Sequence, residues 1–185
     1  MTMEAEGYFD ISDVIYALKS RKSNLSMKLE SCVKQDQKGV FFFSKAKVAL
    51  DMFELTTDEI IRMISELKLT GAYEYIIIDM DFSVSKDILK VYKQAHSVVW
   101  VGDGSEISNT KIQRAFNAFS IMEQNEESPL VNRLCLVYNK FSNKSGKTVG
   151  DIELRNVGGA PVYMHASTKQ VIDQLATMTL FDNLL

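Results

Sequence analysis

The sequence predicts an α/β domain built on a mostly parallel, doubly wound sheet of about five strands flanked by helices. Apolar runs without polar alternation recur along the chain, and such runs are typical of strands covered on both faces. Segments of helical period separate them, and this alternation indicates right-handed βαβ crossovers. At 185 residues, of which 46% are hydrophobic and 24% charged, the chain is long enough for one well-cored domain.

Five short apolar runs predict the strands. Each is bounded by turn-forming or polar residues, so none of them extends far. In chain order they are Phe41–Phe43, 75–79, 97–101, 134–138 and 161–164.

Four segments predict helices, because apolar residues recur in them at helical spacing, in the first at i, i+3, i+4 and i+7. They are residues 11–18, 60–67, 112–119 and 171–176. Asp10 or Ser12 is placed to cap the first. Thr56 and Glu59 have the spacing of a capping box before the second, and Gly71 is placed to end it.

The charge and the cysteine usage restrict the function. A formal net charge of −3 argues against tight nucleic-acid binding, which depends on clustered lysine and arginine.

Only Cys32 and Cys135 occur, far apart, which favours a reducing compartment over a disulfide scaffold. The acidic start of the chain has no signal-peptide pattern, and no apolar run approaches the ~20 residues that span a bilayer. We therefore expect a cytoplasmic protein.

Asp79 closes the 75–79 run, and Asp81 follows two residues later. Ligands of open α/β sheets bind beyond the carboxyl ends of the strands. A carboxylate at such an end can hold Mg²⁺ through water beside a nucleotide phosphate. The alternative is that the carboxylate caps a helix beginning near residues 83–85.

Two glycines, Gly102 and Gly104, follow the third run, with Asp103 and Ser105 beside them. The glycines allow either a close approach of the backbone to a ligand or partner, or an ordinary turn. Asp103 or Ser105 can cap the helix that follows.

Asn139 follows the fourth run and could read a nucleobase edge, since its amide offers both a donor and an acceptor. An asparagine in an ordinary turn is the alternative. The nearby Gly146-Lys147-Thr148 imitates the end of a phosphate-binding loop. Phe141 stands where that motif requires its first glycine, so we do not expect a phosphate loop here.

His165 follows the fifth run, where it is either an acid–base group or a polar loop residue. The two histidines and two cysteines lack the spacing of metal ligands. No nucleophile elbow is present, so the sequence indicates no Ser–His–Asp chemistry.

In order and spacing, these strand, helix and loop segments resemble the sequences of the MinD/ParA superfamily of deviant-Walker ATPases, the CpaE/TadZ-like pilus-assembly branch in particular. The run YEYIIIDMDFSVSKDILKVYKQAHSVVWVGDGSEISNTKIQRAFNAF resembles its Walker B strand, the next helix and strand, and the helix after them. The segments GYFDISDVIYAL, KGVFFFSKA, LCLVYNKFSNKSG and DIELRNVGGAPVYMHAS resemble the flanking parts. The resemblance extends over residues 7–176.

The resemblance implies a P-loop NTPase-like fold and a nucleotide switch that uses ATP and Mg. It makes Asp79 the Walker B carboxylate that holds Mg through water, with Asp81 as a second candidate ligand. It places Asn139 against adenine, with Tyr163 and His165 in the loop that lines the base. Residues 102–105 are then expected near a nucleotide-dependent dimer face.

The chain departs from the family pattern in three places. The P-loop strand, its glycine-rich loop and its lysines precede everything matched here and have no counterpart. Asp81 stands where the family usually has proline, and the neighbourhood of His165 replaces a family aspartate. Without an amide cradle or a lysine for the triphosphate, we expect no ATPase activity from this chain alone. Loss of the P-loop strand leaves neighbouring edges open, which favours an incomplete chain over a minimal domain.

Residues 1–185 are therefore expected to form a single, partial domain, from Walker B onward with the helix–strand region before it. The resemblance implies the C-terminal part of a nucleotide switch that assembles or positions cellular machinery, such as a pilus. It implies a homodimer with protein partners of an assembly or polarity machinery, recruited to the pole or the inner membrane surface. The alternative is a non-catalytic interaction and dimerisation scaffold that binds no nucleotide.

Overall fold

The computed structural model describes residues 9–21, 24–46, 55–125, 129–142, 144, 146–180 and 182. The chain divides into two units, Met1–Asp81 and Phe82–Leu185. Each unit has an apolar core of its own. None of the described helices is long and apolar enough to cross a membrane.

The described residues of the first unit form three helices and a small hairpin. In chain order these are α1 (Ile11–Lys19), α2 (Leu25–Cys32), β1 (Val33–Gln35), β2 (Phe41–Phe43) and α3 (Thr57–Thr70). Strands β1 and β2 pair antiparallel, with Val33 opposite Phe43. The three helices contribute the buried core, which includes Val14, Leu29 and Leu67.

The predicted capping residues and the predicted glycine stop are found at the ends of α1 and α3. Asp10 caps α1 by accepting a hydrogen bond from the Ser12 amide at 2.8 Å. Thr56 and Glu59 form the expected capping box at the start of α3. Gly71 ends α3 with a left-handed φ of 61°, a conformation that glycine adopts without steric cost.

The prediction of a strand over 75–79 is wrong. Residues 72–84 contain no strand, and no backbone hydrogen bond joins residues 73–83 to another described residue. Ile77 is 91% exposed and Ile78 39% exposed. The run has the β-branched composition of a strand, but a strand also needs a paired neighbour, and the described residues supply none.

The second unit is an α/β structure around a parallel sheet. Its elements are α4 (Lys86–Tyr92), β3 (Val98–Gly102), α5 (Glu106–Met122), a 3-10 turn (Leu130–Arg133), β4 (Leu134–Phe141), β5 (Arg155–Pro161) and α6 (Thr168–Ala176). The strand order is β3-β4-β5, all parallel. The predicted α/β class, with a parallel sheet flanked by helices, is confirmed.

The parallel sheet of the described residues has three strands instead of about five. Phe41–Phe43 pairs with β1 in the antiparallel hairpin, and the 75–79 run is unpaired. The expected strand over 161–164 is also wrong, because β5 ends at Pro161. Strand β5 was not predicted, because Gly158 and Gly159 interrupt its apolar composition. Their backbone nevertheless pairs with β4.

Buried aromatic and aliphatic side chains join the sheet to α5 in the second unit. Trp100 of β3 lies 5.8 Å from Phe119 of α5, measured between ring centroids. The carboxylate of Glu123 is also buried and accepts a hydrogen bond from the Leu130 amide at 2.7 Å. The ammonium of Lys93 lies 3.6 Å from the same carboxylate, so the buried charge is compensated.

Candidate functional site

The carboxyl ends of β3, β4 and β5 meet along one side of the parallel sheet, which we call the carboxyl edge. It comprises the turn 102–105, the end of β4 with the loop 142–150, and the loop 162–167. In parallel α/β sheets this is the side at which ligands bind.

The turn after β3 is fixed by side-chain hydrogen bonds. Ser105 caps α5 by accepting from the Ser108 amide at 3.2 Å, and Asp103 accepts from the Ser105 amide at 2.9 Å. This backbone hydrogen bond from Ser105 is the main reason why the pKa of the Asp103 carboxyl is lowered. Gly104 adopts a left-handed φ of 77°. Of the two capping candidates, Ser105 is the residue that caps the helix.

Four hydrogen bonds tie this turn to the loop after β4. The Lys147 amide donates to the Gly104 carbonyl at 2.9 Å, and the Asn109 side chain donates to the Lys147 carbonyl at 2.7 Å. The Tyr138 hydroxyl donates to the Asn109 side-chain oxygen at 3.2 Å and accepts from the Val149 amide at 2.7 Å. The two loops are therefore held as one structure. Neither Asn109 nor Tyr138 was predicted as a site residue, because their partners lie far away in the sequence.

The ring of Phe141 fills the space between these loops. Its centroid lies 5.1 Å from that of Tyr138. A Cβ at Gly104 would lie 2.5 Å from a Phe141 ring carbon, and one at Gly146 would lie 2.8 Å from the ring. Gly104 requires glycine because the ring approaches its backbone too closely for a side chain. At Gly146 the Ser142 carbonyl oxygen is closer still, 2.6 Å from where a Cβ would lie.

The Gly146-Lys147-Thr148 segment does not have the geometry of a phosphate cradle. The Gly146 amide donates to the Ser142 carbonyl at 2.6 Å, and the Lys147 amide donates to the Gly104 carbonyl. Amides that already have carbonyl partners are not available to bind a phosphate oxygen. The geometry agrees with the argument from sequence against a phosphate loop here.

Asn139 lies within β4 and not in a turn. The pairing of β4 with β5 shifts between Tyr138 and Phe141, and Lys140 has a left-handed φ of 57°. At this bulge Asn139 is exposed, and its side chain makes no hydrogen bond to another described residue. A bulge of this kind redirects a side chain out of the regular ladder, so the Asn139 amide is accessible at the carboxyl edge.

Tyr163 and His165 lie in the loop after β5, at the same edge. Tyr163 is half-buried, and its hydroxyl donates to the Met178 sulfur at 3.6 Å. His165 is exposed and has a left-handed φ of 61°, a conformation uncommon for a residue with a side chain. Asn139 and His165 are thus accessible, whereas the Tyr163 hydroxyl is already in contact with Met178, just after α6.

Asp79 and Asp81 belong to the first unit, whereas Asn139, Tyr163 and His165 belong to the second. Both aspartates are exposed. Asp79 does not close a strand, contrary to the prediction, because the 75–79 run is unpaired. Among the described residues, no group of three or more His, Cys, Asp and Glu side chains is arranged to hold a metal ion.

The fold is similar to that of two solved structures. A chain of the MinC:MinD cell division protein complex from Aquifex aeolicus matches with a TM-score of 0.61 at 16% sequence identity. That match covers 88% of this chain and 62% of the other. A ParA family ATPase from Chlorobium tepidum TLS matches with a TM-score of 0.61 at 15% identity, covering 98% of this chain and 74% of that one.

Comparisons of sequence gave no match. No protein-family model matches the chain, and no curated protein matches it. At 15–16% identity, the likeness to the solved structures shows the fold and leaves the chemistry to be argued from residues.

Proposed function

We propose that this chain is a nucleotide-switch module of the MinD/ParA superfamily that binds the adenine base of ATP at its carboxyl edge. The observation that carries the proposal is the bulge in β4, which exposes the Asn139 amide at the ligand-binding side of a sheet of this fold. The likeness to a ParA family ATPase supports the choice of ligand.

Asn139 suits the recognition of a nucleobase. Its amide offers a donor and an acceptor on one short side chain, which matches the adjacent donor and acceptor of an adenine edge. The loop after β5 contributes the half-buried ring of Tyr163 and the exposed imidazole of His165. Aromatic and imidazole rings provide flat faces against which a base can stack. We assign nucleotide binding to these three residues.

The proposed Mg²⁺ ligand is Asp79, acting through water, with Asp81 as a second ligand. Carboxylate oxygens are the ligands that Mg²⁺ prefers, and protein sites commonly supply only one or two of them. Two exposed aspartates that form no group of three acidic side chains with other described residues fit an ion that also binds nucleotide phosphates. They do not fit a metal centre held by protein alone.

We further propose that the chain does not hydrolyse ATP by itself. The amides of Gly146 and Lys147 have carbonyl partners, so this loop supplies no cradle for the phosphates. Phosphoryl transfer depends mainly on positioning and charge stabilisation of the phosphates. A chain that holds the base and a phosphate-bound ion, without an amide cradle for the phosphates, would act as a binding module.

The proposed biological role is the assembly or positioning of cellular machinery in the cytoplasm, at the pole or the inner membrane surface. The MinC:MinD complex is an assembly of two protein partners in cell division, which supports a role through protein contacts. We also propose a homodimer and place the chain in the CpaE/TadZ-like pilus-assembly branch, on the sequence resemblance alone.

A scaffold that binds no nucleotide is the second candidate. It is favoured by the exposed apolar side chains of the first unit, including Tyr75 and Ile77, since such surfaces often mark contacts with another protein. Binding of the base and this role are separable, because Asn139, Tyr163 and His165 belong to the second unit.

Calorimetric titration with adenosine and with Mg·ATP tests the proposal. Adenosine isolates the contact with the base, and we expect the variant Asn139→Ala to weaken both ligands by about tenfold, as loss of a paired amide costs ~1–3 kcal/mol. Asn132→Ala is the matched control, because Asn132 is exposed just before the opposite end of β4. Asp79→Ala should weaken Mg·ATP and leave adenosine unchanged.

Equal affinity of Asn139→Ala and the parent chain would refute the base assignment. Equal Mg·ATP affinity of Asp79→Ala would refute the metal assignment. Absence of binding by either ligand would support the scaffold.

A further inference from the structure

A cavity of about 520 Å³ opens in the second unit between α5, the 3-10 turn and the segment that leads into β5. Its lining includes Leu134 and Arg155, which are the first residues of β4 and β5. Because these strands are parallel, both residues mark their amino ends, on the side of the sheet opposite the carboxyl edge. Small-molecule sites commonly have volumes of roughly 300–1,000 Å³. We call this space the amino-end cavity.

One part of the lining is apolar. Phe116, Val131 and Ile152 are half-buried and pack against the core of the second unit. They come from three different segments of the chain, and together they offer a surface against which the apolar body of a ligand is removed from water. The ring of Phe116 can also attract a cation that lies over its face.

The other part of the lining is charged. Asp151, Glu153 and Arg155 are exposed and occupy every second position of the segment that leads into β5. Leu154 between them belongs to the core, and Ile152 packs against it. Two carboxylates and one guanidinium leave one net negative charge in the lining. The amino-end cavity therefore favours a cation over an anion.

Two neutral amides add to the hydrogen-bonding groups of the lining. Asn117 of α5 and Asn132 of the 3-10 turn are exposed, and their side-chain oxygens accept hydrogen bonds as carboxylates do. Asp151 in addition has a left-handed φ of 60°. Such a conformation is uncommon for a residue with a side chain, and backbone outliers of this kind cluster at functional sites.

We propose that the amino-end cavity binds a small organic monocation, a primary amine with an apolar body. The amine is protonated at neutral pH, as the lysine side chain is. Its ammonium donates hydrogen bonds to the Asp151 and Glu153 carboxylates, and its body lies against Phe116 and Val131. A neutral ligand of the same shape lacks the attraction to the carboxylates. The proposal does not depend on nucleotide binding, because it uses none of the residues assigned to the nucleotide.

Titration of the full chain with phenethylamine, followed by amide chemical shifts in nuclear magnetic resonance spectra, tests the site. Saturable shifts should be confined to the segments that line the cavity, such as residues 116–120 and 151–153, and should leave Asn139 unchanged. Phenethyl alcohol has the same apolar body without the charge. It should bind about fivefold more weakly or worse. Added salt should weaken the amine more than the alcohol.

Neutralisation of the carboxylates tests the residues. The double variant Asp151→Asn with Glu153→Gln should bind phenethylamine about tenfold more weakly, because each exposed charge pair contributes up to a few-fold. Asp173→Asn is the matched control, since Asp173 is an exposed carboxylate on α6 of the same unit. Asn117→Phe puts a ring at an exposed lining position and should block the amine. Circular dichroism should be unchanged for all of these variants, because the substituted side chains are exposed.

Equal affinity for phenethylamine and phenethyl alcohol would overturn the proposal, because it would show an apolar gap without a preference for charge. Unchanged amine affinity in the double variant, or shifts that lie outside the cavity, would overturn it as well. The absence of any saturable shift at up to ~10 mM phenethylamine would show that the cavity is only a packing gap. Adenosine affinity should be equal in the double variant and the parent chain, so a failure of the nucleotide proposal leaves this one intact.

Discussion

Replacement of Gly104 by alanine should destabilise the second unit strongly. The residue has a φ of 77°, and a left-handed conformation costs a residue with a Cβ about 1–2 kcal/mol. The new Cβ would also lie 2.5 Å from a ring carbon of Phe141. Overpacking of this kind typically costs about 1–3 kcal/mol. We therefore expect Gly104→Ala to lower the free energy of unfolding by about 2–5 kcal/mol.

Urea unfolding followed by tryptophan fluorescence measures this loss directly. Trp100 is the one tryptophan in the sequence, lies in the second unit and is 3% exposed. Its emission therefore reports the unfolding of the unit that contains the substitution. The midpoint should fall without a change in slope, because the same surface is exposed on unfolding.

The double variant Gly104→Ala with Phe141→Leu separates the two causes. A smaller side chain at position 141 removes the ring contact but leaves the backbone strain. We expect a favourable coupling energy of about 1–3 kcal/mol between the two substitutions. If the changes in the free energy of unfolding are additive, the ring contact does not limit the residue at position 104. A loss of under ~1 kcal/mol for Gly104→Ala would refute both the strain and the overpacking arguments.

Three further predictions concern hydrogen bonds. Tyr138→Phe leaves the Val149 amide without its acceptor and should destabilise the second unit by about 1–2 kcal/mol in the same fluorescence assay; an unchanged midpoint would contradict this. Thr56→Ala removes the cap of α3 and should cost about 1 kcal/mol in thermal unfolding followed by circular dichroism, whereas Thr56→Ser should be nearly neutral. The folded-state pKa of Asp103 lies below its ordinary value because the Ser105 amide donates to the carboxylate. The stabilisation by the ionised Asp103 carboxylate is therefore present above pH ~4 and lost as the pH falls through the lowered pKa. Asp103→Asn should flatten the loss of stability below pH ~4, and an unchanged acid profile would refute this prediction.

Short-range signals made part of the fold predictable. Asp10, Thr56 and Gly71 act within one helical turn of their own positions, so the bounds of α1 and α3 could be read from the residues. Strands β3 and β4 were predictable because their apolar runs are paired with each other, with β4 buried from Leu134 to Tyr138 and β3 buried at alternate residues. The positions of α5 and α6 followed from their apolar stripes in the same way.

Pairing between distant segments was not predictable from local composition. The glycines of β5 break its apolar pattern, so this paired strand was missed. The 75–79 run has a strongly apolar pattern, although it is unpaired. In the candidate site, the exposure of Asn139 depends on a shift in strand register, which composition does not encode. The contact of Asn109 with Lys147 spans 38 residues, so only the folded chain brings these partners together.

The position of one aromatic ring constrains how this sequence can diverge. Because a Cβ at Gly104 would lie 2.5 Å from the Phe141 ring, a mutation that adds a side chain there is selected against while the ring is present. Homologues that have lost Gly104 should therefore also carry a smaller residue at position 141, whereas Gly146 is restricted by the Ser142 carbonyl oxygen as well. Such linked substitutions would let an alignment of distant homologues identify this loop pair where overall identity is too low to do so.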